Sequence, residues 1–238
     1  TASDYADMGV NLPTTPAVSA AVAAAILGAT NAALASAPID KSTADRPTEV
    51  QAIVDSYAKI LGMADGAINT PDSAKPTAQD YANVGLASSL TDKLAGDAGA
   101  PNLSLLNQLV DKAAATGNVN TPAQLETLAS AVNKVMAIAD QPAGATPVAA
   151  DLSNADLAAL GITGLSDSQK AAVIGALQSK APTDVDTLAE IQVLADAAKT
   201  SIDKIATYAE NNAGNAPTAN DYSNVGVTGV SDAAATGL

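Results

Sequence analysis

One motif occurs four times along this chain, and its spacing limits the fold more than any other feature. The copies read TASDYADMGV, TAQDYANVGL, SNADLAALGI and TANDYSNVGV. They begin at Thr1, Thr77, Ser153 and Thr218, so the intervals are 76, 76 and 65 residues. Such recurrence is typical of proteins built from stacked structural repeats. We therefore predict repeats at 1–76, 77–152 and 153–217, and the truncated start of a fourth at 218–238.

Each copy of the motif predicts a short opening helix with its own beginning and end. A Thr or Ser at the N-cap accepts from the third helical amide, and an Asp at that position reaches back to the cap. A Gly then supplies the left-handed residue that ends the helix. The Tyr or Leu between them is predicted to clip both ends of the helix, against the residue after Gly and the Pro before the cap. The sets are Thr1, Asp4, Tyr5 and Gly9; Thr77, Asp80, Tyr81 and Gly85; Ser153, Asp156, Leu157 and Gly161; and Thr218, Asp221, Tyr222 and Gly226.

A second helix is predicted after each opening helix. The caps expected for it are Thr15, Thr91 and Ser166. In the second repeat the insertion GDAGAPN, which contains Gly96 and Gly99, predicts a break or a restart of this helix.

The third helix of each repeat carries the strongest apolar periodicity. In the first repeat Val50, Ile53 and Val54 begin a stripe at helical spacing, and similar stripes follow the caps Thr121 and Thr187. No stretch alternates with period two, so no sheet is expected. The predicted fold is all-α: tandem three-helix-bundle repeats arranged end to end as an elongated rod.

Composition and charge exclude several classes of function. The net charge of −14 opposes binding to nucleic acid and to anionic membranes. The absence of His and Cys removes the commonest general base and transition-metal ligand, as well as thiolate chemistry. The uncharged stretch before Asp40 looks like a membrane span, but its counterparts in later repeats are charged, so no membrane insertion is expected. We also expect no cofactor, metal or small-molecule substrate, and no enzyme activity.

The third repeat resembles the small three-helix modules known as GA or albumin-binding-type domains. The resemblance rests on Gly161-Ile162 at the end of the first helix, Ser166-Asp167 at the start of the second, and Thr187 with Glu190 at the start of the third. The tandem DY and GVTGV pattern is also similar to the helical repeats of very large bacterial surface adhesins. In albumin-binding members aromatic residues begin the second helix, whereas here Ser168 and Gln169 stand there.

These resemblances imply a function in cell adhesion at the bacterial cell surface, outside the cell. The expected role is a structural spacer or stalk that extends a binding region or contributes to a biofilm matrix. Its partners would be neighbouring repeats of the same chain and other surface or matrix proteins. The alternative is a set of modules that bind a host protein such as albumin or immunoglobulin.

Two kinds of chemistry remain as competing interpretations of particular residues. Ser56 and Lys59 match the S-x-x-K motif of penicillin-recognising enzymes, although that mechanism needs a sheet and the repeat equivalent of Ser56 is Ala131. Calcium binding is the other, because several carboxylates lie close together in sequence. Their spacing, however, is not that of a calcium-binding loop. The carboxylates are Asp184, Asp186 and Glu190, and Asp65 with Asp72.

Overall fold

The computed structural model describes the chain except for residues 14–17, 37, 41, 72–73, 95–99, 116, 142–151, 213 and 232–238. Thr15, Asp72, Gly96 and Gly99 therefore lie outside the described residues. Every regular element that is described is helical, so the fold is all-α. The only β-type pairing among these residues is an isolated bridge between Asp65 and Ala114. The chain divides into two compact units, Thr1–Ser130 and Ala131–Leu238.

The first unit contains the helices of the first two repeats. They are α1 (Ala2–Asp7), α2 (Ala20–Leu34), α3 (Pro47–Met63), α4 (Ala78–Asn83), α5 (Ser88–Leu94), α6 (Pro101–Lys112) and the first part of α7 (Pro122–Ala139). Helix α3 packs against α2, α4 and α6. The break predicted for the second helix of repeat two is observed, because α5 and α6 are separate helices.

The cap predicted at Thr91 is wrong. Helix α5 begins at Ser88, so Thr91 lies inside it, and its hydroxyl donates to the Ser88 carbonyl (3.2 Å). The helix starts early because the Ala87 carbonyl already accepts from the amides of Leu90 and Thr91. A Thr in the first turn of a helix can donate its hydroxyl to a nearby backbone carbonyl in this way. In the sequence it cannot be distinguished from a Thr at the N-cap.

The second unit contains the rest of α7, then α8 (Asn154–Ala159), α9 (Asp167–Gln178), a short 3₁₀ helix (Pro182–Asp184), α10 (Leu188–Asn211) and α11 (Ala219–Ser223). Its core forms where α9 packs against α10. Ser166 caps α9 and Thr187 caps α10, as the sequence predicts.

The third helices α3 and α7 bury the apolar stripes expected of them, whereas α10 buries only the first part of its stripe and leaves Ile202 and Ile205 partly exposed. In α3 the side chains of Val50, Ile53 and Val54 are at most 6% exposed, and Ile191 and Leu194 begin the matching buried stripe in α10. Among the helices described, none is both long enough and apolar enough to span a membrane.

Candidate functional site

The opening helices α4, α8 and α11 begin with the same closed pair of hydrogen bonds. In α4 the Asp80 amide donates to the Thr77 hydroxyl (3.3 Å), and the Thr77 amide donates to the Asp80 carboxylate (2.8 Å). Ser153 with Asp156 and Thr218 with Asp221 repeat both bonds. At α1 the hydroxyl of Thr1 accepts no such bond, although its amino group contacts the Asp4 carboxylate.

All four opening helices end in the same way. The glycines Gly9, Gly85, Gly161 and Gly226 have φ of 79°, 91°, 82° and 84°. The amide of the residue that follows each glycine donates back to the carbonyl of the Tyr or Leu, at 2.8 to 3.1 Å. This is the Schellman ending, which satisfies carbonyls that a helix end otherwise leaves open. Local sequence alone therefore builds this whole element.

A lysine on the third helix of each repeat binds the capping Asp of the next opening helix. The Nζ of Lys59 lies 2.9 and 3.0 Å from the two carboxylate oxygens of Asp80. These ion pairs are called joints below: the first is Lys59 with Asp80, the second Lys134 with Asp156 (2.9 Å), and the third Lys204 with Asp221 (2.6 Å). The Asp side chains are 9 to 13% exposed and the lysines 31 to 50%, so each joint buries the carboxylate more than the ammonium.

Two of the joints carry an additional Ser and Asn. At the first, the Ser56 hydroxyl donates to Asp80 (3.2 Å) and accepts from the Asn83 amide group (3.1 Å). At the third, Ser201 donates to Asp221 (3.4 Å) and accepts from Asn224 (3.1 Å). The second joint has Ala131 and Ala159 in these two places. The hydroxyl and the amide are therefore present together or absent together.

The joints also set the protonation of their carboxylates. Burial by itself raises the pKa of Asp80, but hydrogen bonds from Thr77 and Lys59 outweigh it and hold the pKa below its ordinary value. At Asp156 and Asp221 burial also raises the pKa, and hydrogen bonds from the capping residue and the lysine again outweigh it, so both pKa values are lowered. The three carboxylates are therefore ionised, and fully able to accept, at neutral pH.

The Tyr of the opening helix reaches the second helix of its own repeat. The Tyr81 hydroxyl donates to the side-chain carbonyl of Asn107 (2.8 Å) on α6, and Asn107 in turn donates to the Pro76 carbonyl (3.0 Å). Tyr5 makes the equivalent bond to Asn31 (2.7 Å), again 26 residues further along the chain. Burial raises the pKa of Tyr81, which keeps its hydroxyl protonated as a donor.

This geometry adds a contact between helices to the role expected for the Tyr. The sequence predicts that its side chain clips the two ends of the opening helix. The backbone carbonyl of Tyr81 takes part in the helix ending, and its side-chain hydroxyl donates to Asn107 on α6. On α4 two adjacent residues therefore act in opposite directions: Asp80 binds the preceding α3, and Tyr81 binds the following α6.

The end of α11 also packs closely on the preceding second helix. A Cβ on Gly226 would overlap the backbone of Gly175 in α9, and a Cβ on Gly175 would lie 2.6 Å from the Val225 carbonyl oxygen. At α4 the contact is looser, since a Cβ on Gly85 would lie 3.0 Å from the Ser36 hydroxyl. Around Gly9 there is open space. All four opening helices thus need the glycine for its backbone conformation, and Gly226 is also needed for close packing.

The residues behind the competing chemistries have structural partners. Ser56 and Lys59 are both bonded to Asp80, Ser56 through a hydrogen bond and Lys59 through an ion pair. Asp184 accepts from the Ala181 amide (3.2 Å) and Glu190 from the Thr187 amide (3.1 Å). Within the described ranges no three acidic side chains converge as a metal site would require.

Sequence reasoning missed the lysines and the asparagines. Lys59 entered only as part of S-x-x-K, whereas the pattern that identifies the joint is Lys at 59, 134 and 204, on the third helix of every repeat. Aligning the repeats over the third helix, and not only over the opening motif, would find it. Comparison with protein-family models, curated proteins and solved structures found no match.

Proposed function

We propose that this chain is a structural spacer: tandem helical repeats, stacked end to end as a rod, in an adhesin of the bacterial cell surface. The observation that carries the proposal is the recurrence of one joint. A lysine on a third helix meets a capping aspartate on the next opening helix three times, at 2.6 to 2.9 Å. A spacer needs the same contact at every boundary, whereas a catalytic site needs to occur only once.

The dimensions and the charge fit this role. Helix α10 has 24 residues, so it spans about 36 Å if it lies along the rod. A net charge of −14 makes neighbouring chains repel one another and opposes collapse of the chain on itself. The aspartate at each boundary is already held by the cap of its own helix, which limits the entropy lost on docking.

Small-angle X-ray scattering of the whole chain tests the spacer. We expect the profile of a stiff rod with the cross-section of a single helical bundle. The matched variant replaces Lys59, Lys134 and Lys204 with Met, which keeps helix propensity and most of the side-chain length but removes the charge. It should keep its helix content by circular dichroism and scatter as a flexible string. A wild-type profile that already has the form of a flexible string would contradict the proposal.

A second candidate function is the binding of a host protein. The observation in its favour is a cleft of about 420 Å³ in the second unit, between the end of α9 and the first half of α10, with Val193 at its edge and 70% exposed. Retention of albumin or immunoglobulin on the immobilised chain, lost in Val193→Asp, would favour this function over a bare spacer. A spacer should retain neither protein.

A further inference from the structure

Apolar side chains on the second half of α10 remain partly exposed although their counterparts in α3 are buried. Ser56 and Lys59 align with Ser201 and Lys204, which sets the correspondence. In α3 the side chains of Tyr57, Ile60 and Met63 are at most 3% exposed. Their counterparts on α10 are all of intermediate exposure: Ile202, Ile205 and Tyr208.

Helix α11 shows the same difference from α4. Tyr81, Val84 and Leu86 are at most 4% exposed in the first unit. The matching residues of the second unit are Tyr222 and Val225, of intermediate exposure, and Val227, which is 46% exposed. The partly exposed residues of α10 and α11 are called the end surface below: Ile202, Ile205, Tyr208, Tyr222, Val225 and Val227.

The first unit indicates what covers a surface of this kind. There α3 packs against both α4 and α6, and α4 is followed by α5, which packs on α6. Helix α6 presents Leu105, Leu106 and Leu109, which are at most 7% exposed. No helix corresponding to α6 follows α11 among the described residues.

A polar feature makes the expected partner more specific than an apolar helix. Tyr5 and Tyr81 each donate to an Asn 26 residues later, whereas Leu157, which has no hydroxyl, needs no such partner. Tyr222 makes no side-chain hydrogen bond to any described residue, and Pro217 precedes its cap as Pro76 precedes that of Tyr81. The end surface thus has the hydroxyl donor of such a site, and Pro217 before the cap is buried, as Pro76 is.

We propose that the end surface is a docking site for an amphipathic helix of the α6 kind. Its leucines would cover Ile202, Ile205 and Tyr208, and an Asn on its buried face would accept from the Tyr222 hydroxyl. The inference deepens the proposed function and rests on it in one respect, that consecutive repeats dock through their opening helices.

An extended chain tests this inference. Residues after Val227 are replaced by a copy of Ala87–Lys112, which places the copied Asn107 26 residues after Tyr222. We expect amide hydrogen exchange over 202–211 to slow by about tenfold or more, because a covered helix end opens less often. Exchange over 188–195, which is already packed against α9, should stay unchanged and serves as the internal control.

Two matched variants separate the chemistry from simple coverage. Replacing the copied leucines 105, 106 and 109 with Ser should abolish the added protection. Tyr222→Phe, or Asn107→Leu in the copy alone, should lower it by about threefold or more, because one polar partner is then buried without the other. If the Tyr222→Phe and Asn107→Leu variants were as well protected as the unsubstituted extended chain, the assignment of the Asn site would be wrong.

Two further outcomes would overturn the proposal as a whole. One is unchanged exchange over 202–211 in the extended chain. The other is protection that rises with concentration in the original chain, because the end surface would then bind a second copy of the protein. Both readouts are local to α10 and α11, so they are independent of the scattering that tests the rod.

Discussion

The first and second joints use the same ion pair in different surroundings. Lys59 with Asp80 is accompanied by Ser56 and Asn83, and Tyr81 next to the Asp is bonded to α6. Lys134 with Asp156 is accompanied by two alanines, and a leucine stands next to the Asp. The lysine, the aspartate, the capping hydroxyl and the glycine are common to both. They are sufficient to build a joint, and the other polar groups are additions.

The additions come in pairs for a physical reason. A buried hydroxyl or amide without a partner costs about 1–3 kcal/mol, whereas replacing both partners with apolar groups is close to neutral. Ser with Asn and Tyr with Asn are therefore gained or lost together, as Ala131 with Ala159 illustrates.

The largest effect should come from truncating the residue next to the Asp. Tyr81→Ala removes a fully buried aromatic ring and its hydrogen bond, and we expect a loss of about 4 kcal/mol in the first unit. Leu157→Ala should cost about 3 kcal/mol in the second unit. Chemical denaturation, followed by hydrogen exchange on separate peptides, measures both. In Tyr81→Ala the protection of α6 should fall more than that of α3, and the reverse order would contradict the direction assigned to the Tyr side chain.

The next effect concerns the shared carboxylate. Asp80→Asn and Asp156→Asn remove the charge that accepts from both the cap and the lysine, and each should cost about 2 kcal/mol. The two losses should be similar because this part of the joint is common to both. Asp4→Asn is the control, since that carboxylate is exposed and has no lysine partner among the described residues, and it should cost much less. Equal losses at all three positions would show that neither the lysine nor the burial of the carboxylate adds to the effect.

A smaller effect is expected from converting the first joint into the second. Ser56→Ala and Asn83→Ala should each cost about 1 kcal/mol, because each leaves the other group without its bond. The double variant should cost little more than either single one, which a double-mutant cycle measures directly. Additive losses would show that Ser56 and Asn83 act independently.

The smallest effect is the dependence of the joints on pH. A carboxyl whose pKa is lowered by folding stabilises the fold above its unfolded value of about 3.9, and this contribution is lost as pH falls through the folded value. Stability should therefore decline below about pH 4 in both units, modestly because the lysines are partly in solvent. In Asp80→Asn the first unit should lose part of this acid sensitivity while the second keeps it. If the stability of the first unit in Asp80→Asn had the same pH dependence as in the wild type, Asp80 would not contribute to the acid sensitivity.

The sequence predicted the local parts of the structure and missed the partners across helices. The cap, the capping Asp and the glycine lie within ten residues, so their roles follow from backbone geometry that any short helix shares. Lys59 meets Asp80 from a helix 21 residues earlier, and only the packing of α3 on α4 brings them together. Asn107 lies 26 residues after Tyr81, and a polar residue within a Leu-rich helix gives no sign of which group it will meet.

The adjacency of Asp80 and Tyr81 has a mechanical consequence. Tension that draws α3 away from α6 loads α4 as well as the direct contact between α3 and α6, because α4 is bonded to both helices through Asp80 and Tyr81. A displacement of α4 strains both contacts, because Asp80 and Tyr81 are neighbours on one helix of six residues. The two anchors therefore yield together, and a boundary between repeats should give way in one abrupt step.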